Sequence, residues 1–335
     1  MPEPTRKKEV GRGERVLPGV WRLRLPLPYP GVPHCNAWAL SAGDGIVLVD
    51  CGMHEPGALE HLVRALQQVG LRLADVRLLV CTHAHADHYG QAADVLDAAG
   101  CELWMHPDHA HTTAAASDPE QALARRLEVA RQSGVPAEPL RRWAEQRRDQ
   151  GNGIRRLVLP DRDLVAGVEV RTDLGVWRVL ETPGHAPSHV CLYAAERRVL
   201  LSGDHLLGRV SLYYDFGWSP DPVGEFVRSL DVVAALDARL CLSGHGRSFT
   251  DVRAHIAGNR ALVARRLDRT RLAVAAAGPV AAYDVVAPVH GEPVTPATAT
   301  WWLTETLCYL RHLEVLGVVA RHAGDGEAPD RWATV

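Results

Sequence analysis

The sequence lacks paired cysteines, long apolar runs and an excess of basic charge. Its seven cysteines include no CxxC pair, and scattered cysteines of this kind indicate reduced, mostly buried thiols rather than a disulfide framework. No stretch approaches the roughly 18 apolar residues that a membrane span needs. The first sixteen residues are polar and contain no apolar segment of an export signal. These absences favour a cytoplasmic protein with no membrane partner.

The charge balance and the composition are those of an ordinary globular protein. The 335 residues carry a formal net charge of −3, so no overall basic field favours nucleic acid as a partner. Lysines and aromatic residues do not cluster into a track for RNA or glutathione, although a local basic groove would still allow RNA. Hydrophobic residues make up 47% and charged residues 23%. Such a chain can form one large domain with an appendage, or two domains.

Short apolar runs alternate with helical patterns from about residue 20 to residue 250, which predicts an α/β fold. Residues 45–50 and 77–81 indicate buried strands that end at polar residues, and four further short strands are predicted between residues 176 and 243. The helical stretch from about 107 to 156 interrupts this pattern. We interpret it as a helical insertion, which forms either a lid over the site or a solvated pair of surface helices.

The composition changes after residue 250. Helical patterns rich in arginine, alanine and leucine follow, and a leucine-rich helix carries residues 303–313. Residues 251–335 are therefore predicted to form a small C-terminal appendage that is helical or winged-helix-like. We interpret Trp301 and Trp302 as core of this appendage or as an oligomer contact, which leaves a homodimer open.

Histidine is unusually frequent, with seventeen residues, and three of them lie with an aspartate in the segment Thr82-His-Ala-His-Ala-Asp-His88. The segment directly follows the apolar run at 77–81, so it lies on a turn at a strand end. Burying these groups without partners would cost on the order of several kcal/mol. Neutral imidazole nitrogens and carboxylate oxygens are, by contrast, the ligands that zinc accepts. Because His83 and His85 alternate and Asp87 and His88 follow on the turn, this cluster can supply two adjacent metal ions.

Three later segments present a histidine or an aspartate just after a predicted strand. They are Glu181-Thr-Pro-Gly-His185, Leu201-Ser-Gly-Asp204 and Leu242-Ser-Gly-His245. Each segment alone indicates only a loop or a cap. Together with the histidine cluster they indicate one site, in which the two oxygens of Asp204 can bridge two metal ions.

The chain resembles the metallo-β-lactamase superfamily over roughly residues 15 to 250, which would form the catalytic domain. The HxHxDH signature is matched by His83, His85, Asp87 and His88, and the later motifs are matched at His185, Asp204 and His245. The resemblance implies a four-layer αββα sandwich with the site along one edge. It implies one metal on His83, His85 and His185, a second on Asp87, His88 and His245, and Asp204 between the two. Asp50 would orient a ligand, or would merely cap a strand end.

The resemblance also implies the chemistry. Two divalent ions, Zn²⁺ in the first instance and Mn²⁺ or Fe²⁺ as alternatives, would lower the pKa of a shared water and polarise a carbonyl oxygen. A metal-bridging hydroxide would then attack the substrate without a covalent enzyme intermediate. Asp87 would be catalytic, because it can hold the proton of the nucleophile as well as bind metal.

The substrate is less well defined by the sequence than the reaction. A thioester or another ester-like small molecule is our first interpretation, cleavage of single-stranded RNA the second, and lactone hydrolysis a further alternative. A binding module with a purely structural metal is disfavoured, because structural sites are usually closed cages around one ion. The C-terminal region resembles the glyoxalase II and β-lactamase-like hydrolase group, which includes an endoribonuclease.

Several residues near the motifs are candidates for a substrate pocket. His205 follows Asp204, and Tyr213 and Tyr214 lie in the loop beyond it, where they either contact substrate or close the pocket wall. Ser188 and His189 are expected to satisfy local backbone groups. Further histidines before the insertion match no motif and are interpreted as surface or lid residues; they are His106, His109 and His111.

Overall fold

The computed structural model describes residues 10–29, 31–148, 150–326 and 328–335. Residues 1–9, which make up most of the polar segment from which we predicted the absence of an export signal, lie outside the described residues. Among the described residues, no helix combines the length and the apolar character that a membrane crossing requires.

The larger β-sheet has seven strands, which lie side by side in chain order. They are β1 (Arg12–Leu17), β2 (Val20–Tyr29), β3 (Val32–Ala42), β4 (Gly45–Val49), β5 (Val76–Val80), β6 (Glu102–Met105) and β7 (Arg162–Asp163). Strands β1 to β4 are antiparallel neighbours, whereas β4 to β7 run parallel. Helices α1 (Ala58–Gln68), α2 (Ala86–Tyr89) and α3 (Ala92–Ala99) connect the parallel strands, together with a 3-10 turn at Leu73–Asp75.

The smaller sheet has five strands in the order β12-β11-β10-β9-β8. They are β8 (Glu169–Thr172), β9 (Gly175–Glu181), β10 (Val190–Ala194), β11 (Val199–Gly203) and β12 (Leu240–Ser243), with α7 (Pro222–Ala234) between the last two. The sheets pack on each other through a cluster that includes Trp38 and Trp177. A second cluster joins the larger sheet to α1 and α3 through residues such as Leu62 and Val95. A third joins the smaller sheet to α7 through Phe226. The layers are therefore αββα, which confirms the predicted fold class.

Strand β4 shows why the apolar run at 45–50 is unbroken. Ile46 and Leu48 are buried in the cluster that contains α1 and α3, whereas Val47 and Val49 are buried between the sheets. Successive side chains of a strand point to opposite faces. A strand that is covered on both faces is therefore apolar throughout, and its first polar residue, Asp50, marks the end where chemistry can begin.

The stretch predicted as a helical insertion contains three helices between β6 and β7. They are α4 (Ala110–Ser117), α5 (Pro119–Gln132) and α6 (Ala137–Arg148). Asp118 caps α5, because its side chain accepts a hydrogen bond from the Gln121 N–H. The end of α5 contacts the C-terminal region, where the Tyr283 N–H donates to the Ser133 carbonyl. The role of this insertion as a lid stays a prediction.

The C-terminal region consists of helices and a small antiparallel sheet. Its elements are α8 (Val252–Ala277), α9 (Ala282–His290), α10 (Ala299–Val315), β13 (Val319–His322) and β14 (Arg331–Thr334). The helical part of the predicted appendage is thus present. Its helices share the hydrophobic cluster of α7 and the smaller sheet, so they extend one layer of the sandwich.

Glu305 is a buried carboxyl group within these C-terminal helices. Its Oε1 accepts a hydrogen bond of 2.5 Å from the Tyr309 hydroxyl and lies 3.8 Å from Arg266 Nε. Burial raises the pKa of Glu305 to about 7, and the hydrogen bond and the nearby guanidinium offset only part of that effect. The folded protein therefore retains a proton on Glu305 at pH values where the unfolded chain, with an ordinary glutamate pKa of about 4.3, has lost it.

We expect the stability of the wild type to fall as the pH rises from about 4.5 to 7, because the folded state binds the extra proton in that window. Glu305→Gln removes this loss and should stabilise the protein by about 3 kcal/mol at pH 8, with little effect at pH 4.5. Calorimetric melting at both pH values checks this, with Glu292→Gln on the surface as the control. An identical pH dependence of wild type and Glu305→Gln would contradict it.

Candidate metal centre

The predicted side chains come together where strands of both sheets end. Asp50 follows β4 and His83 follows β5, which are parallel neighbours in the larger sheet. His185 lies on the turn after β9, while Asp204 and His245 follow the parallel strands β11 and β12 of the smaller sheet. Because the sheets pack face to face, these strand ends meet at one edge of the sandwich.

A first group consists of His83, His85 and His185, whose candidate ligand atoms all lie within 4.8 Å of one another. The closest pair is His85 Nδ1 and His185 Nε2, at 3.0 Å. Two imidazole nitrogens at this distance, with a third nearby, are the kind of donor set that a zinc ion accepts.

A second group consists of Asp87, His88 and His245, again within 4.8 Å. Asp87 Oδ2 lies 3.2 Å from His245 Nε2 and 3.6 Å from His88 Nε2. Asp204 lies between the two groups: its Oδ2 is 3.1 Å from His245 Nε2 and 3.7 Å from His185 Nε2. One carboxylate thus faces donors of both groups.

The far side of every imidazole in these groups has a hydrogen-bond partner, at 2.8 to 3.1 Å. The pairs are His83 with the Thr82 hydroxyl, His85 with Asp215, His88 with Asp50, His185 with the Tyr213 carbonyl and His245 with the His34 carbonyl. Carbonyls and ionised carboxylates can only accept hydrogen bonds. The Thr82 hydroxyl donates its proton to Asp50, so toward His83 it too is an acceptor. In its neutral form each ring therefore turns an unprotonated nitrogen toward the centre, as a metal ligand must.

Three buried atoms that face the centre have no hydrogen-bond partner in the described part of the chain. They are His83 Nε2, His88 Nε2 and Asp204 Oδ1. An unsatisfied buried polar atom costs about 1–3 kcal/mol, and a bound divalent cation would remove that cost. The residues present therefore fit such an ion.

The two groups differ in their electrostatics. Burial lowers the pKa of His83 well below its ordinary value, and it lowers that of His185 to about 4, with neighbouring imidazoles acting in the same direction. Burial also opposes a charge on His88 and His245, but Asp204 and Asp87 outweigh it. They raise the pKa of His88 well above its ordinary value and that of His245 to about 10. Burial also opposes a charge on His85 of the first group, but Asp215 outweighs it and raises the pKa of His85, so only His83 and His185 favour the neutral form.

The comparison with known protein families agrees with this geometry, because the family model of the metallo-beta-lactamase superfamily matches residues 30–245. The chain belongs to this superfamily. The resemblance inferred from the HxHxDH motif is thereby confirmed.

Three proteins illustrate what this superfamily member is similar to. A probable metallo-hydrolase of Bacillus subtilis, YqjP, is 27% identical over 265 residues, which cover 74% of this chain and 76% of that protein. An atrochrysone carboxyl ACP thioesterase of Aspergillus chevalieri is 23% identical over 83% of this chain and 75% of its own length. The crystal structure of a metallo-beta-lactamase family protein from Thermus thermophilus, 27% identical, covers 96% of this chain and all of its own, with a TM-score of 0.80.

Asp50 lies behind this metallo-β-lactamase centre and contacts two of its segments. Its carboxylate accepts hydrogen bonds from the Thr82 N–H, at 2.8 Å, from the Thr82 hydroxyl, at 3.0 Å, and from His88 Nδ1, at 2.9 Å. Its backbone has a φ of 62°, a left-handed conformation that aspartate and asparagine tolerate better than most residues. This arrangement fits the orienting role that the resemblance implied.

We expect Asp50→Asn to weaken metal binding about 10- to 100-fold, the usual effect of removing the partner of a metal-binding histidine. Asparagine keeps the backbone conformation, but its single carbonyl oxygen cannot replace two carboxylate oxygens that accept from three donors. Titration with zinc against a chromophoric chelator measures the effect. Asp44→Asn, on the exposed surface, is the control, and an unchanged affinity of Asp50→Asn would count against the orienting role.

The predicted pocket residues occupy different environments. The Tyr213 ring lies beside the centre, with its centroid 5.6 Å from that of His185. Tyr214 is fully buried and packs on Phe226 in the hydrophobic core, and its place in the pocket wall stays a prediction. His205 is also buried, with its ring 4.9 Å from Phe226, and a substrate contact for it stays a prediction.

Two of the histidines that were interpreted as surface or lid residues are buried. His106 is hydrogen-bonded to Glu181, and His111 contacts Asp215 at 2.9 Å, so the surface interpretation is wrong for both. His109 remains partly exposed. Ser188 and His189 satisfy backbone groups, although distant rather than local ones, because they accept hydrogen bonds from the N–H groups of residues 84 and 204.

Asp215 is the residue beside the centre that the sequence analysis missed. It accepts hydrogen bonds from His85 and His111. Burial would raise the pKa of Asp215, but His85 and His111 outweigh it and hold the pKa well below its ordinary value. No motif marks Asp215 in the sequence, since its partners His85 and His111 lie more than 100 residues away in the chain.

Proposed function

We propose that this chain is a dinuclear metal-dependent hydrolase that acts on a thioester or a similar ester carbonyl. The observation that carries the proposal is the pair of adjacent donor groups with Asp204 between them. In this proposal one ion is held by His83, His85 and His185, a second by Asp87, His88 and His245, and Asp204 contributes to both. Zinc is the first choice, with manganese or iron(II) as alternatives that the same donors accept.

Two divalent ions, when bound at such a site, polarise a carbonyl oxygen and make hydroxide available from water near neutral pH. The residues of the chain provide the rest. The hydrogen bonds on the far side of each imidazole hold the donors in place before substrate arrives, so no reorganisation is needed during the reaction.

We assign to Asp87 the catalytic role of holding the proton of the nucleophile in a hydrogen bond. Burial would raise the pKa of Asp87, but His88 and His245 lower it below its ordinary value, so the carboxylate is ionised at neutral pH and accepts hydrogen bonds. Its Oδ2 lies 3.2 Å from His245 Nε2, and its other oxygen would accept a hydrogen bond from the nucleophile and orient it. Asp87 would thus contribute both to metal binding and to the positioning of the nucleophile.

A thioester is favoured by the similarity to the fungal thioesterase and by the near-neutral overall charge of −3. The seven cysteines are all free thiols, as expected in a reducing compartment, and this supports action in the cytoplasm. No observation on the described residues favours RNA, so RNA cleavage is kept as an outcome of the test rather than as a second proposal.

The test is a substrate panel with metal-stripped and zinc-reconstituted protein. We expect the protein to hydrolyse acyl thioesters, to lose this activity after chelation and to regain it with zinc. Short RNAs should not be cleaved. Cleavage of RNA, lactones or β-lactams by a protein that does not hydrolyse thioesters would overturn the substrate assignment. Turnover that survives complete removal of metal would overturn the hydrolase mechanism itself.

A further inference from the structure

One short loop segment, Tyr213 to Asp215, contacts the far side of two histidines of the first group. The Tyr213 carbonyl accepts a hydrogen bond of 3.1 Å from His185 Nδ1. The Asp215 carboxylate accepts one of 2.8 Å from His85 Nε2, and the Asp215 N–H donates to the His185 carbonyl at 3.2 Å. The orientation of both rings therefore depends on the position of this segment.

His111 of α4 holds the Asp215 carboxylate from the opposite side. Its Nδ1 lies 2.9 Å from Asp215 Oδ2, the same oxygen that accepts from His85. Its Nε2 lies 2.8 Å from the Ser188 hydroxyl, which in turn accepts a hydrogen bond from the Ala84 N–H. Since Ala84 lies between His83 and His85, these contacts form a closed circuit that begins and ends at the segment carrying both histidines.

The donors and acceptors available at Asp215, His85, His111 and Ser188 fix the direction of these hydrogen bonds. An ionised carboxylate only accepts, so His85 and His111 must both donate to Asp215, and the Ser188 hydroxyl donates to His111 Nε2. In its neutral form His85 then carries its proton on Nε2 and presents Nδ1 to His185 Nε2, 3.0 Å away. The tautomer that binds metal is thus the one that Asp215 stabilises.

The loop segment is also anchored from the C-terminal region. Tyr214, between the two contact residues, is fully buried, and its ring centroid lies 5.5 Å from that of Phe226 and 5.9 Å from that of Tyr309 in α10. Packing of α7 and α10 on one side and of α4 on the other therefore sets where Asp215 lies.

We propose that Asp215 and His111 are positioning residues for the first metal-binding group. The insertion acts through His111 and the C-terminal helices act through Tyr214, and together they hold His85 and His185 in the orientation and tautomer that bind a cation. This inference rests on the proposed metal-binding function. The insertion and the C-terminal helices would each have a role at the metal centre that does not require them to cover the substrate.

The first test is zinc binding by the full-length protein, in competition with a chromophoric chelator. Asp215→Ala should lower the affinity for one of the two zinc equivalents about 10- to 100-fold and leave the affinity for the other unchanged. Asp215→Asn, which keeps an acceptor oxygen, should restore most of the affinity. His111→Phe should weaken binding of the same equivalent, whereas His109→Phe, at the residue that precedes this helix, should not. A purely structural role would weaken both equivalents alike, and that result would overturn the proposal.

A second measurement does not depend on metal. Nitrogen-15 spectra of histidine-labelled, metal-free protein report which ring nitrogen carries the proton, and His85→Gln identifies the signal of His85. We expect Nε2 protonation in the wild type and its loss in Asp215→Ala; an unchanged tautomer would overturn the proposal. A wild type that binds no zinc but shows the Asp215-dependent tautomer would refute the proposed function while supporting the positioning role.

Discussion

Replacing His83 by alanine should lower kcat/KM for a thioester substrate at least about 1,000-fold. His83 Nε2 is fully buried at the centre and has no hydrogen-bond partner among the described residues. We therefore assign it as a metal ligand. The ring also lies against His88 and His185, at centroid distances of 4.2 and 5.0 Å. Its removal should therefore take one ion from the centre and leave the protein folded.

The measurement combines steady-state kinetics, metal content and a melting curve. His322→Ala replaces an exposed histidine in β13 and should retain full activity and both ions. A folded His83→Ala protein with wild-type turnover would contradict the assignment of His83, because no other role for its unpartnered nitrogen follows from the geometry.

Replacing Asp204 by asparagine should have an effect of similar size, for a different reason. The Asp204 carboxylate faces His245 and His185 through Oδ2, and its Oδ1 lies 3.4 Å from His88 Nε2. Asparagine keeps the shape but replaces one oxygen with an amide group that donates and cannot bind a cation. We expect weaker binding of both ions and a loss of at least about 1,000-fold in kcat/KM.

This variant is distinguished from His83→Ala by its metal content. His83→Ala should retain one tightly bound ion, whereas Asp204→Asn should lose affinity for both because the side chain lies between the groups. Asp108→Asn, on the exposed surface before α4, is the matched control. Loss of only one ion from Asp204→Asn would show that Asp204 does not bridge the groups.

The buried strands and the histidine cluster are marked locally in the sequence, whereas the αββα sandwich and the grouping of the seven candidate ligands followed from the resemblance to the superfamily. A strand buried on both faces is apolar throughout, as β4 shows, and the polar residue that ends it is conspicuous. His83, His85, Asp87 and His88 lie within six residues, so their convergence needs no knowledge of tertiary structure. The later ligands each follow a short apolar strand.

His111 and Asp215 could not be predicted in the same way. Each is an isolated polar residue in an irregular or weakly amphipathic segment, and the partners of each lie far away in the chain. The same limit applies to Tyr213 and Tyr214, of which only Tyr214 is fully buried. Without a regular period in the loop after Asp204, nothing in the sequence shows which of two adjacent tyrosines faces the centre and which enters the core.

The central claim is that two neighbouring groups of side chains each hold a divalent cation, and counting metal ions tests it most directly. Wild-type protein would be stripped with a chelator, reconstituted with zinc, freed of excess ion and analysed by plasma mass spectrometry. We expect two zinc ions per chain. A stoichiometry of one or none in a folded protein would contradict it.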